Sequence, residues 1–543
     1  MTLPRKRNIN ATLISLILIG SYFYLWNHYA INIPKWDDHV FKATIRDFEK
    51  ADGIGAKLYE LFRQHNEHRV GLTRLVALLD FGLFGQLNYQ HLMLFGNLAL
   101  LLIGWLLVRF FRATIAPVWY ALPVLSLWFS LAFWENAFWG MAAVQNFWVL
   151  AFVMLVCWLL AQNNRFWGWA ILVAFAATFT SGNGLFVWPI GLLILLLQRN
   201  WRSAGAWFLA GAFTVLLYFY QYQSPPYSPV ATGGIRVLWR GFVLFCGSMG
   251  EGLPIGKLPY QMPIWVGSMN LFVSFWLVVF LIRSYWKRHF VLSPNDYFYL
   301  GGVLFALLTA VLVTYSRAGF GGEVFLTSRY KVYSALLLSL NVAYLTLLVG
   351  EKFREVLHVT WLVAATFLYV SNQHYHLYDT INLRKFLITS AFNGNYGKGD
   401  LLNGKPIYER PPLFTDQLLA LPKDSVQLKP CVLKNNQLAL FRGDFRLRDL
   451  RDGGLYLCLY NDSTQYLFPT DQARKHSFRN LFNYNRFFIK GSTVRLASAQ
   501  TGAGTYSLKW LRYNSPEMRW ESAECGRVTF VKETEKKKIK TNW

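Results

Sequence analysis

Acidic residues are scarce in this chain. Aspartate and glutamate together number 29, against 54 lysines and arginines, and the formal net charge is +25. Charged residues of both signs make up only 15% of the sequence, against about 25% in a typical soluble chain. Cysteine is nearly missing. The five, Cys157, Cys246, Cys431, Cys458 and Cys525, form no Cys-x-x-Cys pair, which leaves zinc-ribbon and thioredoxin-like motifs without support. There is no GxxxxGKS/T run, so a P-loop is excluded, and no HExxH. No internal repeat is evident. After about residue 373 no long apolar run remains.

What is there is apolar and aromatic. Hydrophobic residues reach 54%, with 22 Trp, 29 Tyr and 44 Phe. From residue 9 to about 372, apolar runs recur, each long enough to cross a ~30 Å hydrocarbon core as a helix of ~20 residues. The chain reads as an α-helical polytopic membrane protein with a polar tail. Its basic residues sit at the ends of these runs, as cytoplasmic loops require, so no nucleic-acid partner is implied. The lysine-rich end, EKKKIK, suits anionic lipid or an anionic glycan.

Charge order sets the topology. RKR at 5–7 precedes the apolar stretch Ile9–Ile31, and no small-residue cleavage site follows it, so this is a retained first helix with a cytoplasmic N-terminus. Inner turns follow at Arg109/Arg112, Arg165, Arg199/Arg202, Arg283/Lys287/Arg288 and Lys352/Arg354. They alternate with outer turns at 32–69, 134–146, 180–184, 224–234 and 316–331. About eleven spans result, with an interfacial helix near 70–86 and a re-entrant or interfacial segment over 236–253. The expected division is a membrane domain over 1–372 with its first outer loop at 32–69. A helical, Gly/Asn/Pro-rich extracytoplasmic linker covers 373–422, and a β-rich extracytoplasmic domain covers 423–543. In the last, Leu455, Leu457 and Leu459 share one strand face, as do Tyr506, Leu508 and Trp510, which predicts a small β-sandwich. Among Cys431, Cys458 and Cys525, one disulfide and one free thiol are expected in an oxidising compartment; the pairing is open.

Unusual polar groups gather on the outer face. Asp37 and Asp38 follow the first span. Either is a candidate catalytic base, which needs reach to a hydroxyl and partial burial; Asp38 is equally a helix N-cap. QHNEHR sets His65 and His68 three apart, on one face if helical, with Glu67 between them and Arg69 after. Two histidines fall short of a zinc site, so no metal site is assigned, and a divalent cation stays open. Arg63 and Glu67 stand at i, i+4 spacing. In SRAGFGGEVFLTSRYK, Arg317, Arg329 and Lys331 flank a glycine cluster beside Tyr330, with no nearby acid to match all three. A phosphate or pyrophosphate is their natural partner; snorkelling to headgroups is the plain alternative. Glu135 and Asn183 lie in outer turns and complete the candidate substrate-binding set.

One cytoplasmic N-terminus, one span, then an acidic pair in a long first outer loop: this arrangement resembles the GT-C superfamily of membrane glycosyltransferases, among them protein O-mannosyltransferases and aminoarabinose transferases. The phrases QHNEHR, WEN, SGNG and SRY are similar to those of uncharacterised bacterial membrane proteins of this type. The resemblance covers roughly residues 1–375, and no WWDYG-like motif is present. It implies a polyprenyl-phosphate sugar donor, an extracytoplasmic glycan, lipid or protein acceptor, and a base at Asp37 or Asp38. It further implies inverting hexosyl or pentosyl transfer for a cell-envelope polysaccharide, in a bacterial inner membrane with the C-terminal domain periplasmic. A transporter or flippase of lipid-linked sugars and a glycan-assembly scaffold are the rival readings.

Overall fold

Apolar periodicity becomes helix almost throughout the first 394 residues. The structure, a computed structural model, describes residues 3–162, 165–223, 234–255, 260–289, 291–394, 401–419, 451–474, 488–494, 501–514 and 517–530. Two compact units emerge. One is Met1–His28 with Trp36–His376, and the other is Tyr29–Lys35 with Leu377–Lys540.

Among the described residues of the chain, nine helices are long and apolar enough to cross a membrane: Arg5–Tyr29, Tyr89–Phe110, Pro117–Ala137, Gly140–Ala161, Trp201–Phe219, Gln261–Lys287, Pro294–Phe320, Ser328–Leu348 and Glu351–Asn393. The chain is an integral membrane protein. The expected eleven full-length spans are corrected to these nine and two shorter apolar helices, Trp167–Thr178 and Gly182–Leu197. The reason is room. Residues 166–199 must hold both helices and a turn, too few for two crossings at ~20 residues each.

Burial separates core from periphery. Ser328–Leu348 is the most enclosed helix, with 83% of its apolar window buried. Gln261–Lys287 instead exposes Trp265, Phe272, Phe275 and Trp276, a surface that water would not tolerate and lipid would. Glycines let helices touch: a Cβ on Gly267 would collide with the Val243 carbonyl, the close approach that small residues permit in membrane bundles.

The first loop is folded rather than extended. A 3-10 turn, Trp36–His39, leads into the helices Val40–Lys50 and Gly53–Phe62. A hairpin, Gln64–His65 with His68–Arg69, follows. The helix Gly71–Phe84 stands where an interfacial helix is expected, and ends on Gly85 at φ 73, the left-handed stop that glycine favours. Asn88 then caps Tyr89–Phe110, its side chain accepting from the Gln90 N–H. Over 236–253 the chain forms the helix Gly234–Cys246 and the turn Ser248–Gly252.

The second unit contains a four-stranded antiparallel sheet. Gly454–Tyr460 pairs on one side with Gln465–Pro469 and on the other with Gly504–Asn514, which pairs with Arg519–Phe530. The period-two reading holds: Leu455, Leu457 and Leu459 bury with Tyr506, Leu508 and Trp510 on one face. A second sheet pairs two strands, Asp471–Arg474 and Phe488–Thr493, and Val494 just after it joins this buried face. Tyr456, Cys458, Leu467 and Leu511 are buried on the other face of the four-stranded sheet against Leu418, Phe414 and Phe392, from a helix end and a 3-10 turn. The helical linker expected over 373–422 is, up to Asn393, the end of the helix Glu351–Asn393. Cys525 is disulfide-bonded and Cys458 is free and buried; burial pushes the Cys458 thiol up to about 12. The expected start of the β-rich region at 423, Cys431, the EKKKIK end and most of the turn at 224–234 lie outside the described residues.

Candidate functional site

Segments distant in sequence meet at one end of the helical unit. They are the first-loop turn and hairpin, the start of the span Gly140–Ala161, the end of Pro294–Arg317, and the turns before Lys331–Leu348. Between them lies an open cleft of about 660 Å³. Asp37, His65, Glu67, His68, Gln145, Asn146, Arg317, Glu323 and Arg329 line it, with Trp139, Phe320 and Tyr330.

QHNEHR forms a hairpin, not a helix. Asn66 takes φ 48 in a two-residue turn, a conformation Asn adopts more readily than most residues. His65 and His68 therefore face each other across the two strands. His65 Nε2 stands 4.0 Å from the Asp37 carboxylate. His68 Nδ1 accepts from the Gly182 backbone N–H at 3.2 Å. That bond assigns the His68 proton to Nε2, which lies 3.9 Å from Glu67 Oε1. Burial lowers both imidazoles below their ordinary value; Asp37 opposes it at His65, and Glu67 opposes it at His68. Burial works to raise the Glu67 carboxyl, yet His68 and Arg317 together hold it below the usual range.

The three cations are matched after all. Arg317 bonds Glu67. Arg329 faces Glu135 at 3.8 Å, and its guanidinium lies over the Trp139 ring at 5.3 Å and the Tyr330 ring at 5.9 Å. Lys331 bonds Glu251 and donates to His376 Nε2 at 3.1 Å. The expectation of unmatched charge fails because each acid comes from another stretch of chain. Arg63 likewise pairs with Glu60 at 3.0 Å and Asp47 at 3.4 Å, not with Glu67. The Arg329 Nε is buried and faces Glu135 beyond hydrogen-bond distance. The lining carries the carboxyls of Asp37, Glu67 and Glu323 against the guanidiniums of Arg317 and Arg329, so the cleft is mixed in charge.

The adjacent aspartates part company. Asp38 is fully buried and accepts from the Met141 N–H at 2.7 Å. It caps the span Gly140–Ala161 from across the fold, whereas His39 precedes its own helix with no side-chain cap. Asp37 lines the cleft with its side chain 43% exposed. Arg69 is spent on carbonyls, those of Tyr218 at 2.5 Å, Phe62 at 2.7 Å and Tyr220, and does not line the cleft. Asn183 is buried, donating to Thr309 Oγ1 at 3.3 Å and the Tyr333 hydroxyl at 2.8 Å. Lys331 and Glu135 are buried behind the lining.

Gln145, Asn146 and Glu323, polar residues of the outer turns, and Trp139, from the aromatic turn WENAFWG, also join the lining. A π-helical turn, Ala143–Phe147, carries two of them, and such turns often mark functional sites. Asn146 donates to Asn136 at 2.8 Å, Asn136 to the Arg329 carbonyl at 3.1 Å, and Gln145 to Ser181 at 3.2 Å. Nothing in the local pattern announces the π turn. Among the described residues, no group of three or more His, Cys, Asp or Glu could hold a metal ion. No family model, no curated protein and no solved structure matches the chain.

Proposed function

We propose that this protein is a membrane glycosyltransferase, moving a sugar from a polyprenyl-phosphate donor to an extracytoplasmic hydroxyl acceptor. One observation carries the reading: a half-exposed carboxylate, Asp37, shares an interhelical cleft with Arg329, whose guanidinium is held by two aromatic rings. Asp37 takes the acceptor proton as the acceptor oxygen bonds the anomeric carbon. The bond from that carbon to the phosphate oxygen breaks, and the phosphate leaves with the electron pair. Arg329 stabilises its charge as it develops, joined by Arg317 when Glu67 yields. His65, neutral and 4.0 Å away, orients Asp37. A single displacement of this kind inverts the sugar.

In this reading the cleft is extracytoplasmic, the N-terminus cytoplasmic and the second unit periplasmic in a bacterial inner membrane. The alternation of basic turns supports that orientation, and so does the Cys525 disulfide.

The test uses the full chain in proteoliposomes with polyprenyl-phosphate hexose or pentose carrying a labelled sugar, and envelope glycan as acceptor. Label should pass from lipid to acceptor, and Asp37→Asn should slow it about 10²-fold or more. Label that crosses the bilayer still attached to its lipid would instead make the protein a transporter. Label that stays in place with every donor would overturn the reading.

A further inference from the structure

At the other end of the helix Pro294–Arg317 lies a second cavity, of about 420 Å³, between the C-terminal ends of Tyr89–Phe110 and Trp148–Ala161 and the residues Ser293 to Asn295. Arg109 and Arg112 line it together with Trp158, Gln162 and Asn295. This helix has 24 residues, about 36 Å at ~1.5 Å each, so the cavity and the cleft are separated by roughly the thickness of a hydrocarbon core.

The two arginines differ from three other basic residues at this end. Arg7 pairs with Glu355 at 2.7 Å, Arg288 with Asp296 at 3.6 Å, and Arg354 donates to the carbonyls of Thr346 and Val349. Arg109 and Arg112 form no ion pair among the described residues. Arg109 does not roam. Its guanidinium lies over the rings of Trp105 at 4.8 Å and Trp158 at 5.2 Å. Rings hold its faces by cation–π attraction and leave the N–H edges for an acceptor. An arginine so fixed has surrendered side-chain freedom that mere snorkelling would keep.

A stripe on the same helix leads to it. Leu94, Leu98, Leu101 and Trp105 are exposed, at 38%, 42%, 36% and 44%, and their spacing of three and four puts them on one face with Arg109. From Leu94 to Arg109 is about 22 Å of helix, longer than the ~15 Å of one leaflet of hydrocarbon. Acyl chains laid along this stripe would bring a headgroup to Arg109.

We propose that this cavity is a binding site for a phospholipid with an anionic headgroup, its phosphate held by Arg109 and Arg112 and its chains lying on the Leu94–Trp105 stripe. The shared chemistry is a phosphate bidentate to guanidinium. The lipid is favoured over free phosphate by the stripe. The site stands apart from the cleft and does not depend on the function proposed for it.

The test titrates delipidated, detergent-solubilised full chain with dioctanoyl phosphatidylglycerol, dioctanoyl phosphatidylcholine or inorganic phosphate. Bound lipid is read by native mass spectrometry and the unfolding temperature by fluorescence. Phosphatidylglycerol should be retained and should raise the unfolding temperature, and phosphatidylcholine should do neither. Arg109→Gln with Arg112→Gln should weaken retention roughly thirtyfold, as expected for about one kcal/mol from each basic residue. Arg283→Gln with Lys287→Gln, which removes equal charge elsewhere at this end, should leave it unchanged. Equal loss in both double variants would reduce the effect to net charge and overturn the site. Binding of inorganic phosphate as tightly as the lipid would overturn the lipid as its occupant. Should the glutamine pair fail to fold, Trp158→Leu with both arginines intact must still weaken retention by releasing Arg109; unchanged retention there overturns the site.

Discussion

The cavities at the two ends of the helix Pro294–Arg317 hold their basic residues in opposite circumstances. At the Arg317 end, Glu67, Glu135 and Glu251 reach Arg317, Arg329 and Lys331 from other stretches of the chain. At the Ser293 end, Arg109 and Arg112 line a cavity without an acid partner. A membrane sets where cations stand along a span. Whether a cation is then neutralised in place or left to bind something depends on the acids that the fold brings to it. At the Ser293 end Glu355 and Asp296 reach Arg7 and Arg288, and among the described residues leave the arginines of the cavity unpaired.

The comparison breaks most readily at the aspartates. Asp37→Asn should cost about 10²-fold or more in sugar transfer while the unfolding temperature of the solubilised protein stays put. Unchanged transfer would leave the cleft end with no more chemistry than the other. Asp38→Ala should do the reverse. It leaves the buried Met141 N–H without its acceptor, a loss of about 1–3 kcal/mol, seen in chemical unfolding. A variant as stable as the parent would show that the tertiary cap contributes nothing.

Smaller effects sharpen the contrast. Glu67→Gln removes the charge that competes for Arg317. The pair is about one-third exposed, and such pairs contribute about 0–1 kcal/mol, so affinity for a polyprenyl phosphate should rise up to about fivefold. Weaker binding would mean that Glu67 itself holds the donor. The smallest effect is in pH. His65 and His68 have folded values below their ordinary 6.5, so below 6.5 the unfolded chain takes up protons that the folded chain refuses. Stability from these groups is complete above 6.5 and is lost as the pH falls below it. His68→Gln keeps an acceptor for the Gly182 N–H and removes the titration. Its stability curve should have a shallower acid limb than the parent's; parallel curves would assign the limb to other groups.

Much of the architecture was legible from the chain alone. The apolar runs, the helix at Gly71–Phe84, the turn at Gly182 and the shared face of Leu455, Leu457 and Leu459 all follow from local composition and period. What local pattern left open is decided by neighbours in space. QHNEHR is a hairpin because Asn66 turns left-handed and the pairing Gln64 with Arg69 closes it. The other face of the four-stranded sheet is covered by Phe392, Phe414 and Leu418, which no local period announces.

The sequence by itself determined that this is a helical membrane protein with a strand-bearing tail, and which turns carry its scarce acids. Burial of an apolar face is a sum over neighbouring residues, and its period can be read along the chain. Only the tertiary structure decided that Asp37 faces the cleft while Asp38 caps a helix 103 residues away, and that Arg317 finds Glu67 across 250 residues. Such contacts are pairwise, each contributes only about a kcal/mol, and many alternatives in the chain would score alike. The packed helices choose among them by bringing one pair within reach and holding the rest apart.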